Sequence, residues 1–418
     1  MEEEKLIKAV ALFGTPMFLY DEIKILEQLY ILRNAIFSKA KLFYAMKANP
    51  LIGICQLLYS NGCGIETASK GEIQTALKAG VKAENIIFTS PGKTEEEITY
   101  AINKQIKLLN VESLEEARII DDIAREKETT VKIGLRINQN VNFSKAKMKM
   151  TGVSSQFGIE ESELSKEFFD KLQALKNIEI VGFQVYSGTQ VLDAEEILQN
   201  VEYIINMVLN LSKSYQISLK YLNLGGGFGV PYFKGELPLD MSALKQGMEK
   251  LEAQYGRELE KTEIIFESGR FLVAESGLFV TKILYRKVSK DMLYYVCDGG
   301  SNFHSSTAFM GRFVRNNFPM YSIPDIAEKK KVNVVGPLCT PTDLIGKNVE
   351  LSGELNPGDL IVVVKSGAYG LSYSPFSFLS HESPMEVLKI GDTYEVLRER
   401  GMAEDLWIRQ KGLGYADV

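Results

Sequence analysis

One lysine stands inside an apolar, β-leaning run, Lys41 to Asn49, that a turn-forming Asn49-Pro50 closes. On a strand, alternate side chains point to opposite faces, so Lys47 would share a face with Ala45 and Asn49. A lysine on a buried strand is costly unless something uses it. The commonest use is a Schiff base, since desolvation lowers an amine's pKa and frees its lone pair. The bland alternative is an edge-strand lysine reaching water. Downstream, Asn223-Leu224-Gly225-Gly226-Gly227-Phe228-Gly229 follows another apolar run. Glycines there let backbone N–H groups approach an anion, and a following helix adds a favourable dipole, although such a stretch can also be only a turn. Phe266-Glu267-Ser268-Gly269-Arg270 then brings a carboxylate and an arginine to a further strand end. Arg270 beside the glycine loop completes a phosphate cage, and Glu267 near a cationic heterocycle would keep its ring nitrogen protonated. A lysine for an aldehyde, a cage for a phosphate and a carboxylate for a pyridine nitrogen are the three needs of pyridoxal phosphate.

Something must carry these groups to one place. From residue 41 to about 270, short β-rich runs alternate with amphipathic stretches: Lys41–Asn49, Gly62–Ser69, Asn85–Ser90, Ile106–Glu112, Thr129–Asn138, Ile178–Thr189, Leu219–Gly227 and Thr262–Gly269. Eight βα units with near-continuous apolar strands predict a TIM barrel. A doubly wound open sheet is the rival. In a barrel the chemistry sits at the C-terminal strand ends, where Lys47, Asn49, Glu66, Arg136, Tyr186, the 225–229 loop, Glu267 and Arg270 all fall. After residue 280, short runs separated by Gly, Pro and Asn predict an antiparallel β domain. Pro16-Met17-Phe18-Leu19-Tyr20 reads as a strand joining that domain, followed by a helix over 21–35. The division expected is therefore 1–35, 36–280 and 281–418.

Composition narrows the class. The 418 residues are 45% hydrophobic, enough for a sizeable core, and the net charge of −6 gives no support to nucleic-acid binding. Four cysteines are widely spaced without a CxxC pair, and two histidines are too few for a histidine triad. Neither a signal peptide nor a membrane-spanning run is visible. A reducing cytoplasm, no membrane and no metal are the expectations.

The chain resembles the fold-type III pyridoxal-phosphate decarboxylases, the group of diaminopimelate, ornithine and arginine decarboxylases, over nearly its whole length. The resemblance rests on Tyr44-Ala45-Met46-Lys47-Ala48-Asn49, Gly188-Thr189-Gln190, Gly225-Gly226-Gly227-Phe228-Gly229, Glu267-Ser268-Gly269-Arg270, Asp298-Gly299-Gly300, Gly336-Pro337-Leu338-Cys339 and Gly367-Ala368-Tyr369-Gly370. It implies an alanine-racemase-like fold, a barrel plus a β domain. It also implies that Lys47 is the Schiff-base lysine, Glu267 the pyridinium partner, and Gly226, Gly227, Gly269 and Arg270 part of the phosphate and cofactor contacts. Glu66 and Arg136 belong to the same cofactor site. Thr189 takes the place of a phosphate-contacting serine, and Tyr186 that of a histidine stacked on the ring. Tyr369 and Cys339 are implied to come from the neighbouring subunit of a homodimer, Tyr369 to the phosphate and Cys339 as the acid that reprotonates the substrate carbon. Alanine racemases place an arginine at the role of Glu267, so decarboxylation outranks racemisation.

Departures from the family pattern speak about the substrate. Ser306 occupies the place of an arginine that reads a distal carboxylate, and Met310 that of an assisting tyrosine. Thr340 replaces the acid that reads a distal ammonium. Losing both readers costs a diamino substrate several kcal/mol. His304 stands in the same loop as a candidate substrate contact, with a satisfied loop histidine as the alternative. This pattern resembles the butirosin-pathway subgroup that decarboxylates an L-glutamyl thioester on an acyl-carrier protein, giving an aminobutyryl thioester for antibiotic synthesis. A decarboxylase of free diaminopimelate or another amino acid is the alternative, and a non-catalytic homologue a third.

Overall fold

The computed structural model describes residues 2–140, 155–308, 316–326 and 328–413, with a backbone strand at 148–149. It divides into two compact units. One comprises Leu26–Pro231 and Gly235–Leu272; the other comprises Met1–Ile25, Tyr232–Lys234 and Val273–Val418.

The first unit is a closed barrel. Its strands are Lys41–Ala45, Gly64–Thr67, Ile86–Thr89, Leu108–Val111, Val131–Asn138, Ile178–Val185, Tyr221–Asn223 and Glu263–Ser268. Each pairs in parallel with its neighbours, and Glu263–Ser268 pairs back onto Lys41–Ala45, which closes the ring. The eight apolar runs of the sequence each supply one strand, and ring closure rules out the doubly wound alternative. Phe43, Ile87, Leu108, Val181, Tyr221 and Ile265, one from each of six strands, form a buried apolar cluster. Two residues further along those strands the character changes to Thr89, Asn110, Asn223 and Glu267, all buried. Because side chains alternate with a period of two, these groups lie on the same face as the apolar layer, one step nearer the C-terminal strand ends.

Three consecutive strand-to-helix junctions are fixed by the same local device. Ser69, Thr94 and Ser113 each accept the backbone N–H of a glutamate three residues on: Glu72, Glu97 and Glu116. Each glutamate returns a bond to a backbone N–H before the helix, at Ala68, Thr94 and Glu112. Such reciprocal caps stop a helix from fraying backwards into the strand end.

The second unit is built on a mixed sheet. Its order is Leu344–Ser352, Lys329–Val335, Met292–Cys297, Gly277–Ser289, Met17–Asp21, Met385–Ile390 and Thr393–Arg398, with Leu360–Val363 pairing to Gly277–Ser289 and Met320–Ile323 pairing to Leu360–Val363. The sheet is not the purely antiparallel one expected. Met17–Asp21 runs parallel to Met385–Ile390, and Met292–Cys297 parallel to Lys329–Val335. Both pairs are joined by connections long enough to cross over, which a tight hairpin cannot do. An N-terminal helix, Glu3–Phe13, unread in the sequence, lays Leu6 and Ala9 on this sheet's core. The units part after Ile25, inside the helix Glu22–Ala35, and again after Leu272, whereas the texture of the sequence suggested 35 and 280. Gly277–Ser289 explains the second difference, because its buried first half reads like a continuation of the barrel's apolar runs.

Gly182 marks the tightest point of the barrel wall. A Cβ there would sit 1.7 Å from the Tyr221 carbonyl oxygen. Gly182→Ala is therefore expected to destabilise by about 3 kcal/mol or more. Gly92→Ala, where a Cβ meets nothing within 4 Å, should stay within about 0.5 kcal/mol. Chemical denaturation of the two variants checks the contrast, and equal midpoints would refute it.

Candidate active site

Lys47 is not on the strand. Lys41–Ala45 ends first, and a short 3-10 turn, Met46–Ala48, carries the lysine. Asn49 N–H bonds back to the Met46 carbonyl at 3.0 Å, and the Tyr44 hydroxyl donates to the Asn49 carbonyl at 2.9 Å. The Asn-Pro that was read as closing the strand thus belongs to a turn that begins earlier. Lys47 is also exposed, so the premise of a lysine desolvated on a strand is corrected. Its amine lies 5.4 Å from the centre of the Tyr186 ring. Gly269 backs the same turn: a Cβ there would stand 2.8 Å from the Ala45 carbonyl and 2.9 Å from the Ala48 Cβ.

Glu267 sits across the barrel wall, opposite Phe43 in the strand register and only 5% exposed. Its Oε1 accepts from Gln184 Nε2 at 2.7 Å and from Asn223 Nδ2 at 2.5 Å. Its backbone N–H donates to the Gly225 carbonyl at 2.7 Å, which ties the strand to the glycine loop. Asn223 Oδ1 in turn accepts the Gly225 N–H at 2.9 Å. A Cβ at Gly226 would fall 1.9 Å from the Glu267 carbonyl, so only glycine lets the loop lie this close to the strand end. Gly227 follows with a left-handed φ of +92° and faces Gly188 and Thr189. Arg270 begins the short helix directly after Glu267 and is half-buried.

Two further ionisable side chains complete the barrel end. Glu66 is 3% exposed, and its Oε2 has no hydrogen-bond partner among the described residues. Burial pushes its carboxyl up to about 8; the charge of Lys47 works against that shift and the charge of Glu267 adds to it. Arg136 Nη1 is paired with Glu112 Oε1 at 2.8 Å, and its guanidinium lies 5.1 Å from the Phe157 ring centre. Glu112 also accepts the Gly158 N–H through Oε2 at 2.8 Å. Ten predicted residues, Lys47, Glu66, Arg136, Tyr186, Thr189, Gly226, Gly227, Glu267, Gly269 and Arg270, thus all belong to the C-terminal end of the barrel. An exposed amine beside an aromatic ring, a buried carboxylate braced on one oxygen, and backbone packed as only glycine permits fit pyridoxal phosphate. The orphaned Glu66 oxygen adds a buried polar group awaiting a partner. Nothing in the sequence assigned Gln184 a role, and Asn223 entered only as part of the glycine run.

The other five predicted residues lie in the β unit. Cys339 is exposed, in a loop braced by the Asp343 carboxylate. That carboxylate accepts the Ser301 N–H at 2.7 Å and the Leu338 N–H at 2.8 Å. Thr340 is half-buried, with its hydroxyl 3.0 Å from that of Thr342. Ser306 donates to the Tyr369 carbonyl at 2.9 Å, which holds that tyrosine at a φ of +54°. Met310 lies outside the described residues. His304 corrects the expectation of a substrate contact, because it is 0% exposed. Its Nε2 lies 3.0 Å from the Ser366 hydroxyl, and the rings of Phe18, Phe279 and Phe318 surround it at 5.4–5.7 Å. Burial pushes its pKa down to about 3, which keeps the imidazole neutral.

Residues 23–274 match the family model described as the pyridoxal-binding domain of pyridoxal-dependent decarboxylases. The chain is 39% identical over 400 residues to the L-glutamyl-[BtrI acyl-carrier protein] decarboxylase of Niallia circulans, covering 94% of this chain and 93% of that one. It is 31% identical over 375 residues to the 2-[(L-alanin-3-ylcarbamoyl)methyl]-2-hydroxybutanedioate decarboxylase of Staphylococcus aureus, covering 88% and 92%. Among solved structures, diaminopimelate decarboxylase of Helicobacter pylori complexed with L-lysine superposes with a TM-score of 0.86 at 33% identity, covering 97% and 98%. A likeness that runs through both units makes this chain a member of the pyridoxal-dependent decarboxylases of fold type III, amino-acid carboxy-lyases that work with pyridoxal phosphate.

Proposed function

We propose that this decarboxylase acts on an amino acid whose distal end is masked, an L-glutamyl thioester on a carrier protein being the best fit. The observation that carries this reading is the pair Ser306 and Thr340. Neither can be charged, and the Ser306 hydroxyl is already committed to the Tyr369 carbonyl. A free diamino acid would leave its distal charge without a counter-charge at these two positions, which is costly wherever binding removes that charge from water. The 39% identity to a carrier-protein-linked glutamyl decarboxylase supports the same reading. The likeness to a diaminopimelate decarboxylase favours the second reading, a free amino acid.

When bound, pyridoxal phosphate supplies an electron sink for the bond broken at the substrate Cα. The chain's own residues divide the remaining work. Lys47, presented by its turn, would hold the cofactor through its aldehyde group. Glu267 would face the ring nitrogen, and Tyr186 would cover one ring face. The 225–227 backbone, Thr189 and Arg270 take the phosphate. Glu66, protonated near neutrality, can donate one hydrogen bond without adding a second full charge beside Glu267. Once carbon dioxide has left, Cys339 of a neighbouring subunit gives its Sγ proton to Cα and regains one from solvent. Tyr369 of that neighbour reaches the phosphate, which makes the working unit a homodimer. The four cysteines are all free thiols, and we place the enzyme in the cytoplasm.

Carbon dioxide release from a glutamyl-loaded carrier protein should exceed release from free lysine or diaminopimelate, with Lys47→Ala as the inactive control. Rapid turnover of either free diamino acid would overturn the masked-end reading. Cys339→Ala should slow decarboxylation by about 10²–10⁴-fold while leaving the visible absorbance of the bound cofactor in place. Glu66 gives a pH test on the cofactor-free protein. Its folded carboxyl lies at about 8 against an ordinary 4.5. The stability it contributes in its protonated form is therefore complete below pH 4.5 and lost as pH rises through 8. Relative to Glu66→Gln, the wild type should lose stability across that window; parallel denaturation midpoints would contradict it.

A further inference from the structure

The family reading assigns Glu267 a role but leaves open what holds it in the charged form that the role demands. Two neutral amides from two different strands converge on the same oxygen, Gln184 Nε2 at 2.7 Å and Asn223 Nδ2 at 2.5 Å. Gln184 is 1% exposed, and its own Oε1 is buried with no hydrogen-bond partner among the described residues. Turning the amide over would satisfy nothing there and would set two oxygens against each other. A residue present only to fill space would carry no such orphaned carbonyl, and an aliphatic chain of the same length would serve better. Asn223 is fully used: Nδ2 also lies 3.0 Å from the Tyr221 hydroxyl, and Oδ1 accepts the Gly225 N–H at 2.9 Å. One amide therefore touches both the carboxylate and the first glycine of the loop.

We propose that Gln184 and Asn223 are positioning residues: together they saturate Glu267 Oε1 so that the carboxylate stays ionised and offers its other oxygen to the cofactor's ring nitrogen, and Asn223 locks that carboxylate to the phosphate loop. The inference rests on the pyridoxal-phosphate assignment of the barrel end and concerns what tunes it. N–H donors favour the charged form of a carboxylate. Without them the carboxylate loses the two N–H donors that fix it toward the ring nitrogen, which weakens the electron sink. An amide does not titrate near neutrality, so this support is independent of pH.

The test uses the holoenzyme with Gln184→Met, Gln184→His and Asn223→Asp. It reads visible absorbance against pH, the dissociation constant of pyridoxal phosphate, and kcat and KM separately. The wild type should show absorbance that is flat between about pH 6 and 8. Gln184→Met, of similar length but without a donor, should lose roughly tenfold in kcat with little change in KM, and its absorbance should become pH-dependent. Gln184→His, whose neutral imidazole still donates one N–H, should keep kcat within a few-fold of the wild type and retain the flat absorbance, a rescue by a second kind of donor. Asn223→Asp keeps the acceptor for Gly225 but turns an oxygen on Glu267. It should impair both ring protonation and cofactor affinity, the latter by roughly tenfold or more. Wild-type kcat and flat absorbance in Gln184→Met, or a Gln184→His variant as impaired as Gln184→Met, would overturn the proposal. Equal losses in all variants with unchanged pH profiles would also overturn it, as a merely structural role. A wild type that takes up no pyridoxal phosphate would instead refute the cofactor assignment.

Discussion

Glu267 is a carboxylate held out of water, and the upper half of the barrel is arranged around that constraint. An ion buried in protein needs donors that cannot turn away. Gln184 and Asn223 supply them from strands that neighbour each other, with residue 184 paired to residue 223 in the register. That register follows from the apolar layer beneath. Phe43, Ile87, Leu108, Val181, Tyr221 and Ile265 fill the barrel interior, and a slip of one residue would send each of them to the wrong face. The same slip would withdraw Asn223 and Glu267 together. Hydrophobic packing therefore sets the electrostatics one layer above it.

Close backbone approach is the second consequence. For Gly225 to exchange bonds with Glu267 and Asn223 at once, the glycine loop must lie against the strand end. The 1.9 Å that would separate a Cβ at residue 226 from the Glu267 carbonyl shows how little room remains. The loop's glycines thus serve packing as much as anion binding, and one geometry answers both demands. The β unit solves a similar problem with carboxylates. Asp298 is held by the hydroxyls of Thr15 and Thr281 at 2.6 and 2.7 Å. Asp343 binds the backbone N–H just before Cys339, at Leu338, and that of Ser301 in a second loop. An exposed thiol is in this way mounted on a braced loop.

The barrel was legible because its signal is local: eight apolar runs, each bounded by a turn or a helix cap, need no knowledge of distant contacts. The glycine loop and the Glu267-to-Arg270 segment were legible for the same reason, since residue type and spacing within a few positions carry them. Lys47 shows the limit of that reading. Alternation extends a strand as far as the residues stay apolar, yet the chain turns at Met46 because Tyr44 and Asn49 close a bond across the turn. Partners far apart in sequence were invisible. Gln184 meets Glu267 across 83 positions, and His304 is enclosed by Phe18, which lies in the N-terminal strand. A loop position suggested contact with substrate, whereas the aromatic wall makes His304 part of the core.

The same distinction bears on substrate choice. Ser306 could be read from the sequence as the loss of an arginine, but the structure adds what the serine does instead. Its hydroxyl bonds the Tyr369 carbonyl, where a left-handed backbone at a non-glycine residue needs support. Neighbouring hydroxyls repeat the pattern, with Ser305 donating to the Tyr373 carbonyl at 2.8 Å and Ser374 to the Gly370 carbonyl at 2.7 Å. The segment around residue 306 is therefore stitched to the 369–374 loop by short neutral side chains. An arginine there would have to leave this stitching to reach a distal carboxylate. The loss of a charged reader and the gain of a rigid loop are thus one substitution seen from two sides, and together they suit a substrate recognised by its α-amino acid end rather than by a distal charge.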